Sequence, residues 1–195
     1  MEKKLTLLRH GNTGFGDRYI GSKDVPLSST GITRIANLKP VFTDQPIDEF
    51  VVSPMLRCRQ SAEVLFSDRS FTSDENLREI DFGRWEGMNF SEIVKKDPEL
   101  VDSWASAAAE FCFPQGERIG DFISRVHEAG KRLAKSSAKN ILVIAHGGVI
   151  RALICYFLQL ESSNHLLFQV KKGSYVTLDL FDEGAVLTGL NLGVE

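Results

Sequence analysis

Two histidines in this 195-residue chain are each followed directly by glycine, in Arg9-His10-Gly11 and in His146-Gly147-Gly148. A third segment, Ser53-Pro54-Met55-Leu56-Arg57, adds another arginine. Arginine presents a planar fork of donors that fits phosphate oxygens. Glycine after each histidine lets backbone N–H groups approach a ligand closely. Gathered in one place, two arginines and two histidines repel one another unless an anion sits among them, and phosphate is the natural occupant. Cleaving a phosphate ester also needs a nucleophile and an acid for the departing oxygen. Neutral imidazole is a competent nucleophile, and arginine neighbours disfavour its protonation, so His10 is expected to be neutral near pH 7. Glu79 is the best candidate acid. It lies in a loop with Phe82 and Trp85, where an apolar setting would hold its proton until the departing oxygen needs it.

These residues converge only if the chain brings three strand ends together. Lys4 to Leu8 is a short apolar run that reads as a buried strand, Phe50-Val51-Val52 as a second and Ile141 to Ala145 as a third. Each runs straight into one of the three segments above. Helical spacing follows over Ser29 to Leu38, with Pro40 ending or kinking it. It recurs over Met55 to Phe66, Gly120 to Leu133 and Val149 to Leu160. Helices that start after residues 54 and 147 would aim their N-termini at the same anion. Thr72 to Asn89 reads as loop, and Ser91 to Phe111 carries mixed helical signals. Tyr175 to Phe181 and Ala185 to Leu190 read as a late hairpin turning at Asp182-Glu183-Gly184. Strands alternating with helices imply an α/β fold, a three-layer α/β/α sandwich on a mostly parallel central sheet. Ligands of such sheets bind at the carboxyl ends of the strands. With no repeat or long polar linker, residues 1–195 read as one domain.

Leu8-Arg9-His10-Gly11-Asn12-Thr13, the stretch from Ser53 through Ser61-Ala62, Leu77 through Gly87, and Ala145 through Arg151 resemble, in order, four signature elements of the histidine phosphatase superfamily, also called phosphoglycerate mutase-like. The resemblance implies His10 as nucleophile and Glu79 as acid, then base. It implies Arg9, Arg57 and His146 as the phosphate pocket, and neither metal nor other cofactor. Within the family the chain is most similar to the α-ribazole phosphatase branch of cobalamin biosynthesis. That similarity rests on Arg18-Tyr19-Ile20-Gly21, Asp24-Val25-Pro26-Leu27-Ser28, Asp81 through Gly87 and Pro114-Gln115-Gly116-Glu117. The implied substrate is α-ribazole 5′-phosphate. The alternatives are a broad-specificity phosphatase or small mutase-like enzyme, and a non-catalytic binder of phospho-ligands. Substrate-side candidates are Asn12, Thr13, Arg18, Tyr19, Gly21, Arg84 and Gly147. Two positions depart from the family pattern. Asn12 replaces the usual Glu or Gln, and Gly16 stands where many members carry an Asn.

Composition agrees with a soluble enzyme acting on a small phosphate ester. A net charge of −3 gives no basic excess for nucleic acid or an anionic membrane, and no apolar run nears the ~20 residues that span a bilayer. A homo-oligomer stays open. The three scattered cysteines, with no secretory signal, point to free thiols and a cytoplasmic setting. Asn89-Phe90-Ser91 fits a glycosylation sequon and is read as chance. Arg59, His127, His165 and the pair Lys171-Lys172 are read as structural or solvated.

Overall fold

The structure is a computed structural model and describes residues 2–106 and 110–191. Its frame is a six-stranded sheet with helices on both faces. The strands are β1 (Lys3–Arg9), β2 (Glu49–Val52), β3 (Thr72–Ser73), β4 (Asn140–Ala145), β5 (Tyr175–Phe181) and β6 (Gly184–Asn191), in the order β3-β2-β4-β1-β5-β6. The first four are mutually parallel, while β5 runs antiparallel to β1 and pairs with β6 as the expected hairpin.

Strand pleating divides the core in two. Leu5 and Leu7 of β1, with Ile141, Val143 and Ala145 of β4, face one side. There they meet α6 (Ile119–Lys135) and α7 (Gly147–Phe157), with α4 (Phe90–Lys96) and α5 (Pro98–Ser106) beyond. Leu8 of β1, with Leu142 and Ile144 of β4, faces the other side. That side is covered by α1 (Ser29–Ala36), the short α2 (Lys39–Phe42) and α3 (Leu56–Leu65). The three layers are those expected. Because β4 is buried on both faces, its Ile-Leu-Val-Ile-Ala run is apolar throughout rather than alternating.

Local chemistry sets several boundaries. Ser28 caps α1, its Oγ accepting the Gly31 N–H at 3.1 Å. The expected helix to Leu38 stops at Ala36, and Pro40 lies in the first turn of α2, where its missing N–H costs nothing. Asn89, at the sequon, caps α4 in a reciprocal box with Glu92. The two-residue strand β3 falls where a loop was expected. Of the stretch with mixed helical signals, α4 and α5 account for much, and residues 107–109 lie outside the described residues.

Candidate active site

The strand register brings the two histidines together. β1 and β4 are parallel neighbours with Arg9 opposite Ala145, so the residues that follow, His10 and His146, leave the sheet side by side. The His10 N–H donates to the Ala145 carbonyl at 3.1 Å, and the rings meet edge to face at 5.1 Å between centroids. The Ser53 N–H extends the β2–β4 ladder to the Ile144 carbonyl at 2.9 Å. This brings Arg57, in the first turn of α3, to the same edge.

His10 is only 5% exposed. Its Nδ1 lies 2.7 Å from the Gly11 carbonyl oxygen, an atom that can only accept. The ring proton therefore sits on Nδ1, and Nε2 keeps its lone pair. Burial, and then the charges of Arg9 and Arg57, hold the imidazole well below the ordinary histidine pKa. His10 is thus neutral, in the tautomer a nucleophile requires; burial is the main cause, and the arginine charges that the sequence suggests come second.

Arg57 is 1% exposed and fixed on three sides. Its Nη2 donates to the Gly21 carbonyl at 2.8 Å, its Nη1 to the Lys23 carbonyl at 2.9 Å, and its Nε to His146 Nδ1 at 3.2 Å. A guanidinium has five N–H donors, so two remain for a ligand. Gly21 is required where it stands, because a Cβ there would lie 1.8 Å from the Ile80 carbonyl oxygen. Glu86 fastens this loop by accepting the Gly21 and Ser22 N–H groups. His146, expected among the phosphate ligands, is fully buried behind Arg57, its other nitrogen 2.8 Å from Ser53 Oγ. Arg9 donates through Nη1 to the Val170 carbonyl at 2.7 Å, and its buried Nε has no partner.

The Glu79 carboxylate accepts the Gly148 N–H at 3.1 Å, at the start of α7, and its own neighbour's N–H from Ile80 at 3.2 Å. One of the two helix N-termini expected to face an anion is therefore already engaged. At the other, the Leu56 N–H of α3 is taken by Asp24 Oδ1 at 2.6 Å. Arg125 of α6 holds the loop backbone, spending all five donors on the carbonyls of Asn76, Arg78 and Glu79 and on the Glu117 carboxylate. Trp85 does not flank Glu79. It is fully buried, stacks on Phe111, and donates its indole N–H to Asp97.

These groups form the floor of a cleft of about 370 Å³. Arg9, His10, Arg57 and Glu79 line it together with the substrate-side candidates Thr13, Arg18, Tyr19 and Gly147. Arg18 is tied to Glu92 at 2.9 Å. Asn12 instead lines an adjoining groove. Gly21 shapes the loop behind Arg57. Arg84 points away into an ion pair with Asp97. Phe90, Arg151 and Lys172 line it as well and were not among the sequence-based candidates. Phe82 and Phe90 form an aromatic wall with Tyr19, Arg151 extends the arginine cluster one turn into α7, and Lys172 is half-buried in the wall. The spacing from His146 to Arg151 was a usable signal for that arginine. Nothing local marks Lys172, which reads as one of a solvated pair.

A buried neutral imidazole with a free Nε2, two guanidiniums with donors to spare and a carboxylate across a cleft define an enzyme of phosphoryl transfer on an α/β/α sheet. Comparison with known proteins narrows that class: residues 5–193 match the histidine phosphatase superfamily (branch 1), and the chain belongs to that family. It is a phosphatase. It is 28% identical to the adenosylcobalamin/alpha-ribazole phosphatase of Salmonella typhimurium, over 96% of each chain. It is 25% identical to phosphoserine phosphatase 1 of Hydrogenobacter thermophilus, over 97% of this chain and 92% of that one. Among solved structures, the alpha-ribazole phosphatase from Shigella flexneri superposes with a TM-score of 0.89 at 28% identity, covering 98% of this chain and 99% of that one. A mycobacterial glucosyl-3-phosphoglycerate phosphatase superposes at 0.84 with 25% identity, covering 98% and 99%.

Proposed function

We propose that residues 1–195 act as one catalytic domain that hydrolyses α-ribazole 5′-phosphate in the cytoplasm through a phosphohistidine on His10. The observation that carries the mechanism is the His10 tautomer, with Nδ1–H on the Gly11 carbonyl and the Nε2 lone pair free. The phosphoryl group lies against Arg9 and the two remaining donors of Arg57, with His146 holding Arg57 from behind. Nε2 attacks phosphorus in line, and Glu79 gives its proton to the departing ribose 5′-oxygen. Glu79 then takes a proton from water, which attacks the phosphohistidine and frees phosphate and the imidazole. Positive charge fixed in advance around the phosphoryl oxygens supplies most of the rate gain.

The substrate reading draws on the names of the relatives and on the wall of Tyr19, Phe82 and Phe90. That wall offers ring faces to a flat base while the cationic floor takes the phosphate. The three cysteines are free thiols, in keeping with a reducing compartment, and no described helix is long and apolar enough to cross a membrane. The test is a rapid quench of the protein with ³²P-labelled α-ribazole 5′-phosphate. Acid-labile, base-stable label on His10, absent from His10→Ala, is the expected result. For the substrate, kcat/KM should exceed that for ribose 5-phosphate. Equal values would favour a broad-specificity phosphatase, and labelled ligand that binds without turnover or phosphoenzyme would favour a binding protein.

A further inference from the structure

Arg57 carries its charge without a carboxylate. Among the described residues this buried guanidinium forms no ion pair within 4 Å. Its three fixed bonds go to the His146 imidazole and to the carbonyls of Gly21 and Lys23. A buried charge left to neutral acceptors is costly unless those acceptors are strong and well aimed. The grip on Arg57 is therefore only as firm as the two carbonyls.

The Lys23 carbonyl is tied to α3 itself, because the next residue, Asp24, accepts the Leu56 N–H through Oδ1. The Gly21 carbonyl is held from outside that helix. It belongs to the same peptide group as the Ser22 N–H, and that N–H donates to Glu86 Oε1 at 2.8 Å. The peptide is trans, so its N–H and C=O point in opposite directions. One plane thus has the Glu86 carboxylate at one end and Arg57 Nη2, 2.8 Å from the carbonyl oxygen, at the other. A carboxylate on the N–H polarises the peptide and makes its carbonyl a stronger acceptor. Glu86 serves in this way as counter-charge to an arginine it does not touch. The same carboxylate accepts the Gly21 N–H, at 3.0 Å to Oε1 and 3.1 Å to Oε2, and the Phe82 N–H at 3.2 Å. It therefore fastens the collar of Arg57 to the loop that carries Glu79, while Glu86 itself does not line the cleft.

We propose that Glu86 is a positioning residue of the phosphoryl-transfer site, acting on Arg57 through the Gly21–Ser22 peptide. The inference rests on the phosphatase reading for the role of Arg57 as a phosphoryl ligand. Loss of the carboxylate frees the peptide to tilt, and the two donors that Arg57 keeps for the phosphoryl group lose their aim.

The test is kcat/KM on an activated aryl phosphate for Glu86→Ala and Glu86→Gln, each made alone and together with Arg57→Met, beside thermal melts. Glu86→Ala removes every acceptor and should lower kcat/KM by about 10²-fold, the cost of a misplaced group. Glutamine can keep Oε1 on the Ser22 and Phe82 N–H groups but has no charge and sets an NH2 against the Gly21 N–H. Glu86→Gln should therefore lose about tenfold, the difference between a charged and a neutral acceptor. In Arg57→Met neither substitution should cost more than about threefold further, because the peptide then has no guanidinium to aim. Losses of equal size with and without Arg57 would overturn the relay and leave Glu86 a brace of the fold alone. So would a Glu86→Gln protein as active as the unsubstituted one. Should Glu86→Ala fail to fold, the Glu86→Gln cycle decides. Calorimetry of inorganic phosphate on His10→Ala reads Arg57 without turnover, and adding Glu86→Gln should weaken that binding by about the same tenfold. Unchanged phosphate affinity would overturn the relay. Weakened affinity with no phosphoenzyme in the unsubstituted protein would sink the catalytic reading and leave the relay standing.

Discussion

The Nε of Arg57 donates to Nδ1 of His146 across 3.2 Å, so a guanidinium, rather than the usual carboxylate or carbonyl, sets the tautomer of this imidazole. Arginine can only donate. His146 must therefore accept at Nδ1 and carry its proton on Nε2, which it gives to Ser53 Oγ. Protonating His146 would set two positive groups face to face. Burial first, and Arg57 next, accordingly hold its pKa well below the ordinary value. The pair thus fixes Arg57 with its two remaining donors turned to the cleft.

Arg57→Lys tests that arrangement. Lysine keeps the charge but replaces a five-donor fork by a point charge on a flexible stem. It cannot hold His146, Gly21, Lys23 and a phosphoryl oxygen at once. Loss of an oriented charge contact in a closed site is worth about 10²–10³-fold, so kcat/KM should fall by roughly that factor. The measurement is steady-state kinetics beside a thermal melt. A loss under about tenfold would mean that charge alone, without orientation, suffices here.

Stability should fall as the solution is acidified below the ordinary histidine pKa of 6.5. Both buried imidazoles have folded pKa values depressed well below it. Between 6.5 and those lower values the unfolded chain binds protons that the folded chain does not. Unfolding free energy therefore rises with pH through this window and falls as pH drops. Above 6.5 both states are neutral and the dependence disappears. Each imidazole contributes up to about 1.4 kcal/mol per pH unit. Denaturant titrations from pH 7 to 5 should show the slope, and His10→Asn should reduce it by up to one proton's worth. An unchanged slope would show that His10 takes up its proton over the same pH range in the folded and the unfolded chain.

The strand ends were legible in the sequence because their cause is local. Lys4 to Leu8 and Ile141 to Ala145 are apolar runs of strand length, and the chemistry follows them directly. The roles of His146 and Trp85 were not legible in this way. Whether a strand-end histidine faces ligand or backs an arginine depends on Arg57, 89 residues away in sequence. Trp85 follows Glu79 closely in the chain but packs on Phe111 and Trp104, further along it. Lys172 was hidden for the same reason. Its neighbour Lys171 is exposed, as charge pairs before strands ordinarily are. Only the pairing of β1 with β5 brings residue 172 back over Arg9, through the bonds from the Gly173 N–H to the Arg9 and His10 carbonyls.

Gly148→Ala should disturb the acid without touching the nucleophile. A Cβ at residue 148 would lie 2.5 Å from Glu79 Oε1, closer than the atoms can approach. The carboxylate must move off the α7 N–H that holds it. Phosphoenzyme should still form from an activated aryl ester, while turnover of an alkyl ester should drop by about tenfold or more. Unchanged alkyl turnover would mean that the observed Glu79 position is not the working one.

Glu79→Gln should have an effect that depends on the leaving group. The first task assigned to this carboxyl is to put a proton on the departing oxygen. A ribose 5′-alkoxide is a poor leaving group and needs that proton, whereas an aryl phosphate expels a stabilised phenolate that hardly does. Glutamine keeps the size, and its carbonyl oxygen can still accept the Gly148 N–H, but it has no acidic proton to give. General acid catalysis is worth about 10²–10⁴-fold, so phosphorylation of His10 by the alkyl ester should slow by roughly that much. The same step with the aryl ester should slow far less. Because Glu79 is also assigned the later activation of water, steady-state turnover of the aryl ester can fall too, with phosphoenzyme accumulating. The discriminating measurement is therefore the pre-steady-state burst of phenolate, set beside single-turnover cleavage of the alkyl ester. Arg125→Met supplies a comparison. It leaves the carboxyl in place but frees the backbone of Asn76, Arg78 and Glu79 from the guanidinium that holds it, so it should reproduce the same pattern in weaker form. Equal losses on both esters in Glu79→Gln would remove Glu79 as the acid. Asp81 would be tested next, although its carboxylate is engaged by Ser22 and by the Gly83 N–H.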